Sequence, residues 1–463
     1  MPACCSAGHS GGSRAGAGMH AHRHSSGCSH MLTMFKVVST SDGARRGELA
    51  TASGTLPTPA LLVYTHRGGV LNLTPDLLEK LPDAQAVQID GLQFVNQPKP
   101  EVLQQAPGGG RRFLALDAPP RVLVATARDP AIYEYLGAMR QATKEWASVS
   151  IHTGAATVTA EQYVEAVAAL QPDLWVALSD DIPNDSRSDR CPKSVDRTVA
   201  WLPACMAAAA GAPALAGAGA LAAVQGGQYV NERIRCAEAA AKQPGLAGVV
   251  VAALGTGESP ELRATIIAEV TARFPEGALR MVSSVGTPED VLEAVAQGID
   301  LFDSAHLVNL VAGGYALSFP VTPEEEAAQQ AAAAGPPPAA GAAGETAAAA
   351  GAAADGGAAQ EQCAADRGED DSKINLWSLA YRTDARPLLP GCSCFACANH
   401  TRAYLHHLLQ THEMTAQVLL ELHNTHHYLR FFAAIRDGIA AGRFGEYRAW
   451  FLGRRQRWLV EGR

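Results

Sequence analysis

Acidic residues are missing from the chain before Asp42, aromatic residues make up only 6%, and charged residues only 18%. Outside Ala/Gly-rich tracts, no apolar run reaches the length of about eighteen residues that a membrane span needs. Ala and Gly gain too little from hydrocarbon to insert, so the sequence predicts no transmembrane helix. Cysteine is sparse too, with ten in 463 residues, and the N-terminal stretch does not read as a secretory leader. That excludes a disulfide scaffold and points to a reducing compartment. Lys and Arg number 37 against 46 Asp and Glu, a net charge of −9. Phosphate neutralisation by basic side chains supplies most nucleic-acid affinity, so this chain is a poor solo binder of RNA. An RNA substrate would need a partner's charge. What the chain has in quantity is apolar: 47% hydrophobic residues exclude a wholly disordered polypeptide. Its length allows two to four ordinary domains, or one large α/β domain with attachments.

Residues 1–35 are Gly, Ser, Ala, His and Cys without apolar periodicity, and read as a disordered tail. The lack of acids gives it a weak transit-peptide character, and Met31 and Met34 are alternative starts. Its His20, His22, His24, Cys28 and His30 are not preorganised for metal. Residues 36–321 alternate short apolar runs with helical patterns. Strands are expected at 61–64, 113–116, 122–125, 149–151, 174–178, 221–224, 249–252 and 301–302, and helices at 160–170, 230–241, 261–274 and 288–297. Near-continuously apolar strands between amphipathic helices mean a parallel sheet covered on its faces. About eight such units fit a closed (β/α)₈ TIM barrel better than an open sheet. Residues 322–372 turn to Ala, Gly, Glu, Gln and Pro and read as a low-complexity insert. Residues 373–463 carry a cysteine cluster and a long helical region with apolar residues at helical spacing.

The strongest chemical signal is Gly391-Cys392-Ser393-Cys394-Phe395-Ala396-Cys397. Three thiols two and three residues apart can converge on one ion within a single tight loop. Zinc wants four ligands in a tetrahedron, and imidazole suits it. Composition leaves His400, His406, His407, His412, His423, His426 and His427 as candidates for the fourth. The plainer alternative is three unliganded thiols beside a His-rich solvated helix face. With no open coordination position such a zinc is structural, contributing on the order of 10 kcal/mol to folding in small modules.

This cluster and its sequel through His423-Asn424 resemble the zinc subdomain of the tRNA-guanine transglycosylases, the queuine tRNA-ribosyltransferases. The family pattern is Cys-x-Cys-x₂-Cys with a His 26 residues on, and His423 lies 26 residues after Cys397. The resemblance thus selects Cys392, Cys394, Cys397 and His423 as ligands of one structural Zn²⁺ per subunit. Other segments agree: Arg46-Gly47 through Thr58-Pro59, Val224-Gln225-Gly226-Gly227, the Gly-rich Leu254-Gly255-Thr256-Gly257-Glu258, Ser284-Val285-Gly286-Thr287-Pro288-Glu289-Asp290, and Gly298-Ile299-Asp300-Leu301-Phe302-Asp303. The likeness covers roughly residues 36–319 and 374–445. It implies a (β/α)₈ barrel with a C-terminal zinc-binding helical subdomain.

Family catalysis is base exchange at a tRNA wobble guanosine. One Asp attacks the ribose C1′ and releases guanine, and a second Asp handles the proton and incoming base. Asp303 falls on the nucleophile position, but Ser304-Ala305-His306-Leu307-Val308-Asn309 follows where catalytic members grip the anticodon with a Pro-Thr-Arg-Asn type sequence. The second Asp belongs in a Thr-Asp-Ser-Gly-Gly-Phe-Gln segment near residue 88. This chain has Gln88 there, with Asp90 two residues off, and two residues along a strand displace a carboxylate by about 6–7 Å. Leu178-Ser179-Asp180-Asp181 also departs from the base-gripping Asp-Glu-Cys.

These departures resemble the family's non-catalytic accessory branch, with which the chain shares Lys193-Ser194-Val195-Asp196-Arg197, Asn399-His400-Thr401-Arg402-Ala403-Tyr404 and an insertion before the zinc module. That implies no catalytic residue here, a heterodimer with a catalytic queuine tRNA-ribosyltransferase subunit, and contact with tRNA through the complex. The alternative is an active enzyme using Asp303 with Asp90. Family dimers place the zinc module at the interface, so Tyr404, Phe431 and Phe432 are candidate contacts, although most of that stripe must be core. Arg430, Arg436, Arg443, Arg448, Arg454, Arg455 and Arg457 are candidates for meeting phosphates or simply a solvated face. The expected location is cytoplasmic; relatives of this branch can also sit at the mitochondrial outer surface.

Overall fold

Apolar runs buried on both faces can only be strands of a covered sheet, and here they close on themselves. The computed structural model describes residues 34–131, 142–183, 186–334 and 372–461. An antiparallel sheet comes first: β1 (Phe35–Ser41), β2 (Ala44–Thr51) and β3 (Gly54–Thr58). Then follow β4 (Ala60–Thr65), β5 (Ala86–Asp90), β6 (Val122–Thr126), the hairpin β7 (Ala147–Ile151) and β8 (Gly154–Val158), β9 (Leu174–Val176), β10 (Gly219–Val224), β11 (Leu246–Val251), β12 (Leu279–Val282) and β13 (Leu301–Asp303). The parallel strands β4, β5, β6, β9, β10, β11, β12 and β13 form a closed barrel in that order, with Asp303 of β13 in register with Leu62 of β4.

Side chains alternate with period two. Leu62, Val122, Val124, Leu279, Met281 and Leu301 pack together inside the barrel, while Leu61, Val63, Leu123, Val249 and Phe302 join the core shared with the outer helices. Continuing the inward rows past this apolar layer brings Tyr64, Gln88, Asp90, Thr126 and Asp303 to the C-terminal mouth. The outer helices are capped by their own sequence. Thr159 and Gln162 form a capping box before Ala160–Leu170, and Ser259 and Thr287 accept amides of helices that begin with proline.

The N-terminal end is covered by the first sheet. Arg45 on β2 reaches both carboxylate oxygens of buried Asp300 and the carbonyls of Glu276 (2.5 Å) and Ala278 (2.6 Å). The β2–β3 turn is held likewise, Ser53 Oγ lying 2.9 Å and Arg111 2.5 Å from Asp173.

One expected strand is corrected, and a second is present but lies outside the barrel. Residues 113–116 follow a short helix, Gly109–Phe113, and Ala115 turns at φ 54°. Residues 149–151 are a strand, but one that turns through His152 and Gly154 to pair with β8 outside the barrel. Their places are taken by β5 and β12, whose Gln88, Asp90 and Arg280 interrupt the apolar pattern.

After the barrel, β14 (Tyr315–Leu317) pairs antiparallel with β15 (Lys373–Asn375), and Ser318 N–H donates to the Ser372 carbonyl at 2.8 Å. The intervening chain therefore leaves and returns at one place. Its start, read from sequence as part of the insert, is a docked helix, Pro323–Ala334. Glu325 pairs with Arg430, and Trp450 Nε1 donates to Glu326 at 2.7 Å. The rest of the insert, 335–371, and the tail, 1–33, lie outside the described residues. Helices Phe395–Asn399, Arg402–Gln410, Thr415–Ala440 and Phe444–Glu461 complete the chain. The 26-residue helix Thr415–Ala440 packs on β1, β2, β4, β14 and the helix Ala305–Ala312 that follows β13.

Candidate metal centre and barrel mouth

Gly391, at φ 79°, turns the chain into the thiol loop, and Cys394 caps the helix Phe395–Asn399 by accepting Cys397 N–H at 3.3 Å. This cap puts Cys392, Cys394 and Cys397 on one side of a tight turn. Opposite them stands His423 on the long helix. Its Nδ1 lies 3.9, 3.5 and 3.3 Å from the three sulfurs in turn, and the four ligand atoms all fall within 4.8 Å of one another. A tetrahedral ion with bonds of about 2.0–2.3 Å has ligand–ligand edges of roughly 3.3–3.8 Å, so the group is able to hold one metal ion. His423 Nε2 donates to the Leu317 carbonyl at 2.8 Å, which fixes the tautomer that leaves Nδ1 free to ligate. Neighbouring Asn424 receives Leu317 N–H and donates to the Tyr315 carbonyl, both at 2.9 Å, so β14 is strapped to the helix.

Several of the other histidines have other occupations. His406 Nδ1 meets the Leu376 carbonyl at 2.9 Å, His400 stacks on Tyr404, and His412 lies beside Trp377. His427 is buried edge-on to Phe319, and burial drives it down to about 3, keeping it neutral. His426 lies beside Cys392, a contact no spacing rule singled out.

At the barrel mouth each buried carboxylate has hydrogen-bond partners of its own. Asp303 is 1% exposed, and its two oxygens accept Ser284 N–H (2.5 Å) and Ala305 N–H (3.0 Å). Burial raises it to about 6. Asp90 accepts Leu92 N–H at 2.9 Å and Gln93 Nε2 at 3.0 Å, and burial raises it to about 7. Asp129, just beyond β6, also acts electrostatically on Asp303. Sequence reasoning missed it because Thr126-Ala127-Arg128-Asp129 matches no expected motif. Tyr64 Oη donates to Asp129 at 2.6 Å and lies 3.0 Å from His66 Nδ1. Gln88 is buried against Thr126, donating to its Oγ1 at 3.1 Å. Gln225 donates to Asp181 at 2.6 Å. In the Gly-rich loop, Glu258 accepts the amides of Gly255 (2.6 Å) and Thr256 (3.0 Å) and pairs with Arg263.

The family profile of queuine tRNA-ribosyltransferase matches residues 40–457. The chain belongs to the queuine tRNA-ribosyltransferase family. Relatives named queuine tRNA-ribosyltransferase accessory subunit 2 include one from Xenopus tropicalis, 35% identical over 419 residues (89% of this chain, 96% of the relative). Others are from Danio rerio, 33% identical over 434 residues (92% and 99%), and Homo sapiens, 30% identical over 426 (90% and 97%). This queuine tRNA-ribosyltransferase family member has, among its described residues, no helix long and apolar enough to cross a membrane.

One expectation about its surface is corrected. Phe431 and Phe432 are fully buried, packed against Phe319 and Phe302, so they are core; Tyr404 is 40% exposed. The C-terminal arginines are largely engaged within the chain. Arg448 pairs with Glu293, Arg455 with Glu289 and Arg457 with Glu326, while Arg436 donates to the Pro59 carbonyl and Arg454 lies over Phe451.

Proposed function

We propose that this chain is the non-catalytic subunit of a heterodimeric queuine tRNA-ribosyltransferase, paired with a separate catalytic subunit of the same fold. In this reading the complex exchanges guanine for queuine at the wobble position of tRNAs with GUN anticodons, those for Asp, Asn, His and Tyr. The observation that carries it is the state of Asp303, whose carboxylate is 1% exposed with both oxygens held by backbone amides. A nucleophile must reach a ribose carbon, and this one faces its own chain. The relatives' name, accessory subunit 2, agrees.

The ion at the thiol–imidazole group is read as zinc, one per subunit. With all four positions filled by protein it has a structural rather than hydrolytic role. The docking surface for the catalytic subunit is read around this module. Of the eight large apolar residues exposed among the described residues, Trp377, Leu379, Phe395, Tyr404 and Met414 fall there. Exposed aromatics of this kind suit an interface. The complex is placed in the cytoplasm, and cell fractionation separates this from a position at the mitochondrial outer surface.

The alternative is an active transglycosylase with Asp303 as nucleophile, favoured by a second carboxylate, Asp129, within electrostatic reach. Exchange of labelled guanine in tRNA decides between them. The purified chain alone should give none, adding the catalytic subunit should restore exchange, and Asp303→Asn should leave that complex's turnover nearly intact. If Asp303→Asn abolishes turnover with assembly preserved, the non-catalytic reading is wrong.

A further inference from the structure

The mouth of this barrel is crossed by its own chain. In the eight-strand ring, β6 and β12 stand diametrically opposite, four places apart. Yet Ser284, just beyond β12, donates from Oγ to the carbonyl of Pro130, just beyond β6, at 3.1 Å. The segment after β6 must therefore reach over the opening. Its neighbour Asp129 is held on the way by Tyr64 Oη at 2.6 Å, and Ala131 N–H closes a tight turn on the other Asp129 oxygen at 2.9 Å. Tyr64 N–H in turn donates to Ser304 Oγ at 2.8 Å, beside Asp303. Ser284 N–H completes the circuit on Asp303 itself at 2.5 Å. Strands β4, β6, β12 and β13 are thus laced together above the inward-facing polar row.

We propose that the Asp129-Pro130 segment is an intramolecular plug, pinned by Tyr64 and Ser284, that bars ring-sized ligands from Asp303. This deepens the non-catalytic reading and rests on it: the site is shut as well as altered. Pinning matters because, with both pins cut, the turn is left with the weaker His66 Nδ1 contact to Asp129 at 3.3 Å and the Arg128 contact to the Ser179 carbonyl at 3.2 Å. Each of the two pins can be cut without touching the Asp303 contacts. Ser284→Ala removes Oγ but keeps the amide that holds the carboxylate. Tyr64→Phe removes the hydroxyl but keeps the amide on Ser304.

The test reads access to the carboxyl directly. The zinc-loaded full-length chain is treated with a water-soluble carbodiimide and glycine methyl ester, and amidation at each Asp is mapped by tandem mass spectrometry. Wild type should leave Asp303 as unreactive as Asp173, which is buried at the opposite end. The Tyr64→Phe/Ser284→Ala double variant should raise Asp303 amidation at least tenfold with Asp173 unchanged. Far-ultraviolet circular dichroism and zinc content confirm that the fold is retained, and each single variant is run in case the double variant fails to fold. Amidation of wild-type Asp303 at the rate of an exposed carboxyl overturns the plug. So does a folded double variant, or a pair of folded single variants, that leaves Asp303 unreactive. No tRNA and no catalytic subunit enters this measurement, so its failure is separate from failure of the exchange assay.

Discussion

Cys394 serves two ends with one sulfur: it accepts the amide of Cys397 and stands 3.5 Å from His423 Nδ1. Serine keeps the cap but is a poor ligand for a soft thiolate site. Cys394→Ser should therefore keep the short helix yet drop bound metal, on the proposed reading one zinc per chain, toward zero by elemental analysis. Assembly with the catalytic subunit should fall with it. Asp90 offers a test of a different kind. Burial holds its carboxyl near 7, against 3.8 in an unfolded chain. The folded state therefore binds more protons than the unfolded one between about pH 4 and 7, and this residue's contribution to stability declines as pH rises through that window. Asp90→Asn removes the effect. Urea unfolding should show the variant gaining on wild type between pH 5 and pH 8 by on the order of 2 kcal/mol. Comparing the two at each pH cancels any loss of metal. A parallel pH profile would show that Asp90 titrates as an ordinary carboxylate.

At the scale of elements, the helix Thr415–Ala440 ties the thiol–imidazole group, core and barrel together. Asn424 holds both directions of the β14 backbone, and its truncation to Ala leaves a buried donor and acceptor unmet, at a cost of about 1–3 kcal/mol. Phe432→Ala, which empties the place beside Phe302, should cost about 3–5 kcal/mol. Chemical denaturation measures both, and metal content should fall only with the first. Much of this was legible beforehand. Thiol spacing marks the loop, apolar runs mark most barrel strands, and Leu419, Leu422, Leu429, Phe432 and Ile435 mark the long helix. Where reading failed, a polar purpose overrode the pattern. β5 was passed over because Gln88 and Asp90 face the mouth, and Arg280 broke β12. Asp129 was invisible because its partners, Tyr64 and Asp303, lie on other strands, and spacing along the chain says nothing about distance across a barrel. The same holds for the arginines of the last two helices, whose acidic partners Glu289, Glu293, Glu325 and Glu326 come from elsewhere in the sequence.

For the molecule as a whole, β14 and β15 bracket everything from 318 to 372. Replacing residues 335–371 by a short Gly/Ser linker should leave zinc content unchanged and the melting temperature within a few degrees, since loop length enters closure entropy only logarithmically. A large loss of either would mean that the segment packs on the body of the protein. The seam of the ring has its own consequence. β4, the first strand, meets β13, the last, and the 26-residue helix lies against β4 and against the helix that leaves β13. During synthesis the earliest and latest parts of the barrel therefore share a buttress that has not yet emerged from the ribosome when the ring is otherwise complete. A nascent chain halted before the final hundred or so residues should hold its seam by the β13–β4 pairing alone, and should be more open to chaperones than the finished protein.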